Sequence, residues 1–512
     1  MKPFATIVCM AMWALSGVDH SAHAGEQRKA AIVQIDSGRI SGTTNSGVTS
    51  FKGIPYAAPP VGDLRWRAPQ PVPVWTGTRA ADKVGPLCMQ QVNTGDNGVG
   101  PPPASEDCLN LDVYTPAPGR RAKRPVMFWI HGGGYVNGSG TAALYDGTEL
   151  AKQGVVVVSI NYRLGRFGFF AHPALTKENP DGLLGNYAFM DQIAALQWVK
   201  RNIAVFGGDA GNVTIFGESA GGGSVINLMI SPLAQGLFHK AISQSGVARV
   251  EFSYLDRPTA SGAPSAEERG KAFAAKLGVT TDDVTALRAI SAQRIIDAGD
   301  PDFSAEGPMI DGKILTSRAD VAFQNHAQSH VPFLLGSNGL EFPPSPDSNR
   351  RFREMLKFPA PQGARLLATY GTEEAFNTNI VSDILFTEPA RFLARTHSEI
   401  APVFLYRFSV LSAGAPPTLK TAPHASDRQY VFRTLKTSPW PTGPLDDKAA
   451  ALLSAYWVAF AKTGDPNGGG RPKWPQYQPS EDQLINFTND GPVLEKTPNA
   501  AALDAIAAGY SQ

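Results

Sequence analysis

Short runs of consecutive apolar, largely β-branched residues recur along the chain at Val126 to Ile130, Val155 to Ile160, Val213 to Phe216 and Val331 to Leu335. Each is bounded by Gly, Pro or Asn, the pattern of strands buried in a parallel core sheet. Between them lie stretches with a different period. From Tyr187 to Asn202, Met190, Ile193, Ala194, Leu196, Trp198 and Val199 recur at near-helical spacing around polar Asp191, Gln192 and Lys200, which predicts a helix. Strand and helix patterns alternate, so the fold class is α/β, with a large, mostly parallel central sheet flanked by helices. Thr259 to Pro301 mixes charged and small residues without strand character and reads as a helical insertion, part of a cap. No internal repeat is present. The Pro-rich and Gly-rich pieces at Gly95 to Pro103, Phe342 to Pro346 and Asn467 to Gly470 have the length of loops, so a single domain over residues 25–512 is expected.

Composition narrows the function without choosing it. The 512 residues are 43% hydrophobic and carry a net charge of +1, with no basic run interleaved with aromatics. Nothing there suggests a nucleic-acid partner, and an uncharged small-molecule substrate fits best. Lys2, an apolar run from Phe4 to Leu15 and a polar stretch ending Ala22-His23-Ala24 have the form of a secretory signal over residues 1–24, with cleavage after Ala24. The apolar run is too short to span a bilayer core of about 30 Å, so no stable membrane anchor is expected. Export to the periplasm or beyond would place Cys88 and Cys108, the only pair left after cleavage, in an oxidising compartment, where a disulfide is expected over two free thiols.

The candidate chemistry centres on Gly217-Glu218-Ser219-Ala220-Gly221, which follows the strand-like Val213 to Phe216 and precedes a small-residue, apolar run to Ile230. A strand-to-helix turn this tight leaves no room for side chains flanking the serine, whose hydroxyl must project free of the sheet. In a chain with 51 glycines the five-residue pattern alone is weak, and its flanking strand and helix give it weight. Upstream, Val126 to Ile130 runs into His131-Gly132-Gly133-Gly134, a loop whose unhindered amides could face a developing negative charge. Gly133 and Gly134 are the expected donors, together with the amide of Ala220. A serine hydroxyl needs a base, and the base needs an acid to set its tautomer. Downstream of the serine stand His239, His326, His330, His397 and His424, and the residues by themselves do not choose among the five. No H-E-x-x-H, no Cys or His cluster with ligand spacing and no phosphate-binding glycine motif occurs, so neither a metal nor a cofactor is expected.

Together these motifs resemble the type-B carboxylesterase family, which includes the cholinesterases, within the α/β-hydrolase fold. The likeness runs through Phe51-Lys52-Gly53-Ile54-Pro55-Tyr56, Leu64-Arg65-Trp66, Ser105 to Tyr114, Asn161-Tyr162-Arg163 and Asp191-Gln192. It is strongest from Phe206 to Gly222. The family places its acid at a glycine-asparagine strand end, which Gly336-Ser337-Asn338-Gly339-Leu340-Glu341 resembles. Its histidine precedes an acidic residue and Tyr-Val-Phe, as His424 does with Asp427 and Tyr430-Val431-Phe432. The resemblance thus implies a triad of Ser219, Glu341 and His424, and supporting roles for Glu218 and Ser245.

Two departures stand out. Phe342 occupies the place of the glycine that usually follows the acid, which keeps Asp311 and Asp347 open as alternatives. The segment between Cys88 and Cys108 has no aromatic residue, so it lacks the tryptophan that holds choline in cholinesterases. The implied activity is ester hydrolysis through an acyl-enzyme on Ser219, declining as pH falls below about 6.5, the ordinary pKa of histidine. A peptidase or amidase on the same triad and a non-catalytic binding protein are the alternative readings. Asn349-Arg350-Arg351-Phe352-Arg353 could receive an anionic substrate group if it faces the pocket, although such runs are commonly solvated faces.

Overall fold

A computed structural model describes residues 30–91, 103–299, 307–342 and 360–510. The expected signal segment, Asp347 and the arginines at 350, 351 and 353 lie outside these residues.

Among the described residues, thirteen strands form one sheet. Its centre is parallel and runs, in spatial order, Val156–Ile160, Arg124–Ile130, Gly208–Glu218, Lys240–Gln244, Phe333–Asn338, Val403–Phe408 and Gln483–Thr488. All four apolar runs read from the sequence fall here. Val126 to Ile130, Val156 to Ile160 and Val213 to Phe216 are fully buried, as strands covered by helices on both faces must be. The fourth strand begins at Phe333 rather than Val331, because Pro332 has no N–H to give to a ladder.

Along the main strand order both margins of the sheet are antiparallel, which the apolar runs did not announce; the short strand Thr78–Ala80 pairs parallel with Gly38–Asn45 off that order. Ala30–Ile35, Gly38–Asn45, Val48–Pro55 and Asn110–Thr115 form a meander on one side, and Gly491–Lys496 closes the other. The Gly38–Asn45 strand buries Gly38, Ile40 and Gly42 on alternate positions, the signature of a strand covered on one face only.

The helix predicted from Tyr187 spans Tyr187–Asn202, yet Asp191 and Gln192 are wholly buried rather than solvated. Asp191 accepts a forked pair from Arg163 at 2.7 and 2.8 Å, and Gln192 donates to Ser224 at 3.1 Å, which offsets their desolvation. The predicted insertion is helical: Ala266–Lys276, Val284–Ala289 and Ala292–Asp297. Ser265 and Glu268 form a capping box at the head of the first of these helices, whose Phe273 packs on Phe170 and under Arg166.

Candidate active site

The parallel strands place their carboxyl ends side by side, so the residues that follow them converge. Ile130 pairs with Gly217, and Glu218 with Gln244. Thus the glycine loop after Ile130, the serine after Glu218 and Ser245 after Gln244 emerge from three adjacent strands.

Ser219 sits between the Gly208–Glu218 strand and the Ala220–Ile230 helix with φ 56° and ψ −123°, a strained region for a residue with a side chain. The strain is held by backbone bonds on either side: its N–H donates to Gln244 O at 2.8 Å and its C=O accepts from Gly223 N at 2.8 Å. A Cβ at Gly221 would lie 2.1 Å from Ile130 O, which is why glycine stands there. The serine side chain makes no capping bond to its helix.

The loop from His131 passes in contact with this turn. A Cβ on Gly132 would lie 2.6 Å from Glu218 O and 3.1 Å from the Ser219 Cβ. Gly133 and Gly134 take φ of 99° and 61°, and Gly133 O accepts from Val136 N and Asn137 N at 3.1 and 3.0 Å. The loop is anchored from outside by Tyr162 Oη donating to His131 O, by Gly165 N donating to Tyr135 O, and by Asn161 Oδ1 accepting from Gly140 N and Ser139 Oγ.

Of the five candidate histidines, His424 is the one beside Ser219: its Nε2 lies 2.9 Å from Ser219 Oγ, and its Nδ1 lies 2.6 Å from Glu341 Oε2. The other four are engaged elsewhere, His239 with Val213 N, His330 with His326 O, His326 with Glu399, and His397 with Gln328 and Val331 O. Glu341 is fully buried, and its second oxygen accepts from Ser245 Oγ at 2.7 Å and Asn338 N at 2.6 Å. Its own N–H donates to Ser382 Oγ at 3.0 Å, and its C=O accepts from His424 N at 2.7 Å. Glu341 and His424 are therefore joined through backbone as well as side chain.

Asp311, the alternative acid, accepts from Asn186 and from the backbone of residues 313–315. It caps a turn there. Phe342, the departure after the acid, stacks on the His424 ring with centroids 4.8 Å apart, and Phe386 lies at 5.1 Å. The aromatic side chain covers the imidazole without displacing the carboxylate.

Glu218 lies within 3.3 Å of His424 Nε2 and 3.8 Å of Arg428. Burial pushes its carboxyl up to about 7, against the opposing pull of His424 and Arg428. Burial acts to lower the pKa of His424, but the Glu218 and Glu341 carboxylates outweigh it and hold the imidazole above its ordinary value. Among the described residues no group of three or more His, Cys, Asp or Glu is arranged to hold a metal ion.

Sequence reasoning missed Ser382 and Phe386 as parts of this surround, and named Asn338 and Asp427 only as members of the motifs around Glu341 and His424. Asp427 Oδ2 accepts from Gln244 Nε2 at 2.7 Å and Tyr406 Oη at 3.0 Å, beneath the strand end that holds the Ser219 amide. No local pattern marks Ser382 or Phe386, which reach the site from the end of the Glu373–Ser382 helix and the turn that follows it. Cys88 and Cys108 are joined in a disulfide, and no described helix is long and apolar enough to cross a membrane.

Residues 29–353 and 367–505 match the model of the carboxylesterase family. The para-nitrobenzyl esterase of Bacillus subtilis is 36% identical over 496 residues, covering 91% of this chain and 97% of that one. The fumonisin B1 esterase of Sphingopyxis macrogoltabida is 35% identical over 482 residues, covering 86% and 84%. A solved structure of a PNB esterase superposes with a TM-score of 0.80 at 32% identity, over 93% of this chain and 99% of that one. With the α/β-hydrolase fold, and with relatives this similar along nearly their whole length, the chain belongs to the carboxylesterase family and is a carboxylic ester hydrolase.

Proposed function

We propose that the chain cleaves esters in two steps through an acyl-enzyme on Ser219. The observation that carries this reading is the continuous hydrogen-bonded path from Ser219 Oγ through His424 to Glu341. His424 Nε2 takes the hydroxyl proton as Oγ attacks the carbonyl carbon, and Glu341 steadies the imidazolium. The N–H groups of Gly133, Gly134 and Ala220 receive the oxyanion; loss of one such donor typically costs about 3 kcal/mol of barrier. The tetrahedral species collapses, His424 passes its proton to the departing alcohol, and the acyl group stays on Oγ. Water then gives a proton to His424 as its oxygen attacks the acyl carbon, and when this second tetrahedral species collapses the carboxylic acid leaves and His424 returns the proton to Ser219 Oγ. Phe342 and Phe386 against the imidazole make its surroundings apolar, which favours uncharged esters.

Hydrolysis of short-chain nitrophenyl esters by the purified protein, beside Ser219→Ala under the same conditions, tests the reading. Turnover by the parent and a fall of several orders of magnitude in the variant are expected. Comparable turnover by both would overturn the nucleophile assignment. We read residues 25–512 as one catalytic domain that is exported to the periplasm or beyond, so protein recovered outside the cytoplasm should begin at Gly25. An N-terminus still starting at Met1 would contradict that.

A further inference from the structure

Gln90, two residues beyond Cys88, is buried at 5% exposure and spends its whole amide on one neighbour and its own turn. Its side-chain oxygen accepts from Gly138 N at 2.8 Å, and its side-chain nitrogen donates to Gly138 O at 2.9 Å and to Cys88 O at 3.0 Å. One side chain thereby closes both the N–H and the C=O of a single residue, as a paired strand would, and so fixes that residue's two peptide planes.

The residue so held abuts the glycine loop. Gly138 has φ 107°, and a Cβ there would fall 2.6 Å from both Gly132 O and His131 Nδ1. Between Gly132 and Gly138 the chain folds back on itself through the bonds from Val136 and Asn137 to Gly133 O. The tip of this loop carries Gly133 and Gly134, which take positive φ here and, having no Cβ, have little intrinsic preference for one conformation. Asn161, Tyr162 and Gly165 restrain other points of the loop, while Gly138 is tied to the Cys88 turn through Gln90.

We infer that Gln90 is a positioning residue for the ester-hydrolysing site: by clamping Gly138 it holds the amides of Gly133 and Gly134 where the transition-state oxyanion forms. This rests on the acyl-enzyme reading above. Preorganised donors act because they need not move as charge develops, so a loosened loop should slow the chemical step while leaving ground-state binding almost intact.

The test compares Gln90→Met, which keeps the length and loses the hydrogen bonds, with Gln90→Asn, which keeps the amide but is one methylene too short to reach. For a variant with parental thermal unfolding, kcat should fall by about tenfold or more, short of the roughly hundredfold to thousandfold loss on removing a donor outright. KM should stay within about twofold, the acid limb of the pH profile should not move, and a trifluoromethyl ketone that adds to Ser219 should weaken in step with kcat/KM. Gln90→Asn supplies the same readouts should Gln90→Met fail to fold. A folded variant with parental kcat, or one whose loss lies in KM or in a displaced acid limb, would overturn the clamp. Ser219→Ala run alongside separates the two ideas. Activity that survives it removes the acyl-enzyme reading, whereas a dead Ser219→Ala beside an unimpaired Gln90→Met removes only the clamp.

Discussion

Glu341 and Glu218 approach different nitrogens of His424, at 2.6 Å from Nδ1 and 3.3 Å from Nε2. Both favour the imidazolium, and together they outweigh the burial that disfavours it, so the folded pKa stands above the ordinary value of about 6.5. The proposed base must be neutral to act. The acid limb of kcat/KM is therefore expected above pH 6.5, higher than the sequence alone suggested. Glu218→Gln removes one of the two carboxylates that raise it, and the limb should move to lower pH, as a pH series on both proteins would register; a limb left in place would mean Glu218 does not act on the proposed base. Ser245→Ala removes one of two hydrogen bonds on Glu341 Oε1 and leaves the other, from Asn338 N. A hydrogen bond to a charged group contributes about 1.5–3 kcal/mol, so a drop of about tenfold to a hundredfold in kcat is expected, with the limb shifted little.

Among the secondary-structure elements, the parallel strands were legible because burial on both faces demands unbroken apolar runs, and the serine turn was legible because its geometry demands glycines. Gly221→Ala tests that demand. A methyl 2.1 Å from Ile130 O cannot be accommodated without parting the serine turn from the neighbouring strand, so the variant should lose activity and thermal stability together. The proposed base was not legible from its surroundings, since His424 reaches Ser219 across 205 positions of chain and local pattern says nothing about such closures. Only the family resemblance singled it out. The antiparallel margin was missed because its strands set polar and small residues among the apolar ones, as in Gly38-Arg39-Ile40-Ser41-Gly42, and so show no unbroken apolar run, and Gln90 because a glutamine between loop residues looks solvated. The cysteine pair was legible from its isolation. Its 20-residue separation implies that replacing both cysteines with serine would cost about 3 kcal/mol through the entropy of the unfolded chain, to be read from denaturant unfolding.

Across the whole molecule, near-neutral net charge conceals several carboxyls buried inside the sheet's surroundings. Burial raises Glu218, Glu388 and Asp112 each to about 7. The first two face Arg428 or Arg249, whereas Asp112 is wholly buried within the Asn110–Thr115 strand and accepts one bond, from Gly53 N at 2.8 Å. Its second oxygen has no hydrogen-bond partner among the described residues. An aspartate of ordinary pKa, about 3.9 in the unfolded chain, binds a proton more tightly once folded here. Its contribution to stability is then fully present below about pH 4 and is lost as pH rises through the folded value near 7. Asparagine reproduces the shape of the neutral acid without its charge. Asp112→Asn should therefore match the parent near pH 4 and gain on it progressively toward pH 8, the difference levelling off above the folded pKa. Thermal unfolding of the two proteins across that range decides the matter: a difference in Tm that stays constant with pH would mean that the folded chain holds the Asp112 carboxylate as well as water does, through Gly53 N and the nearby Lys52.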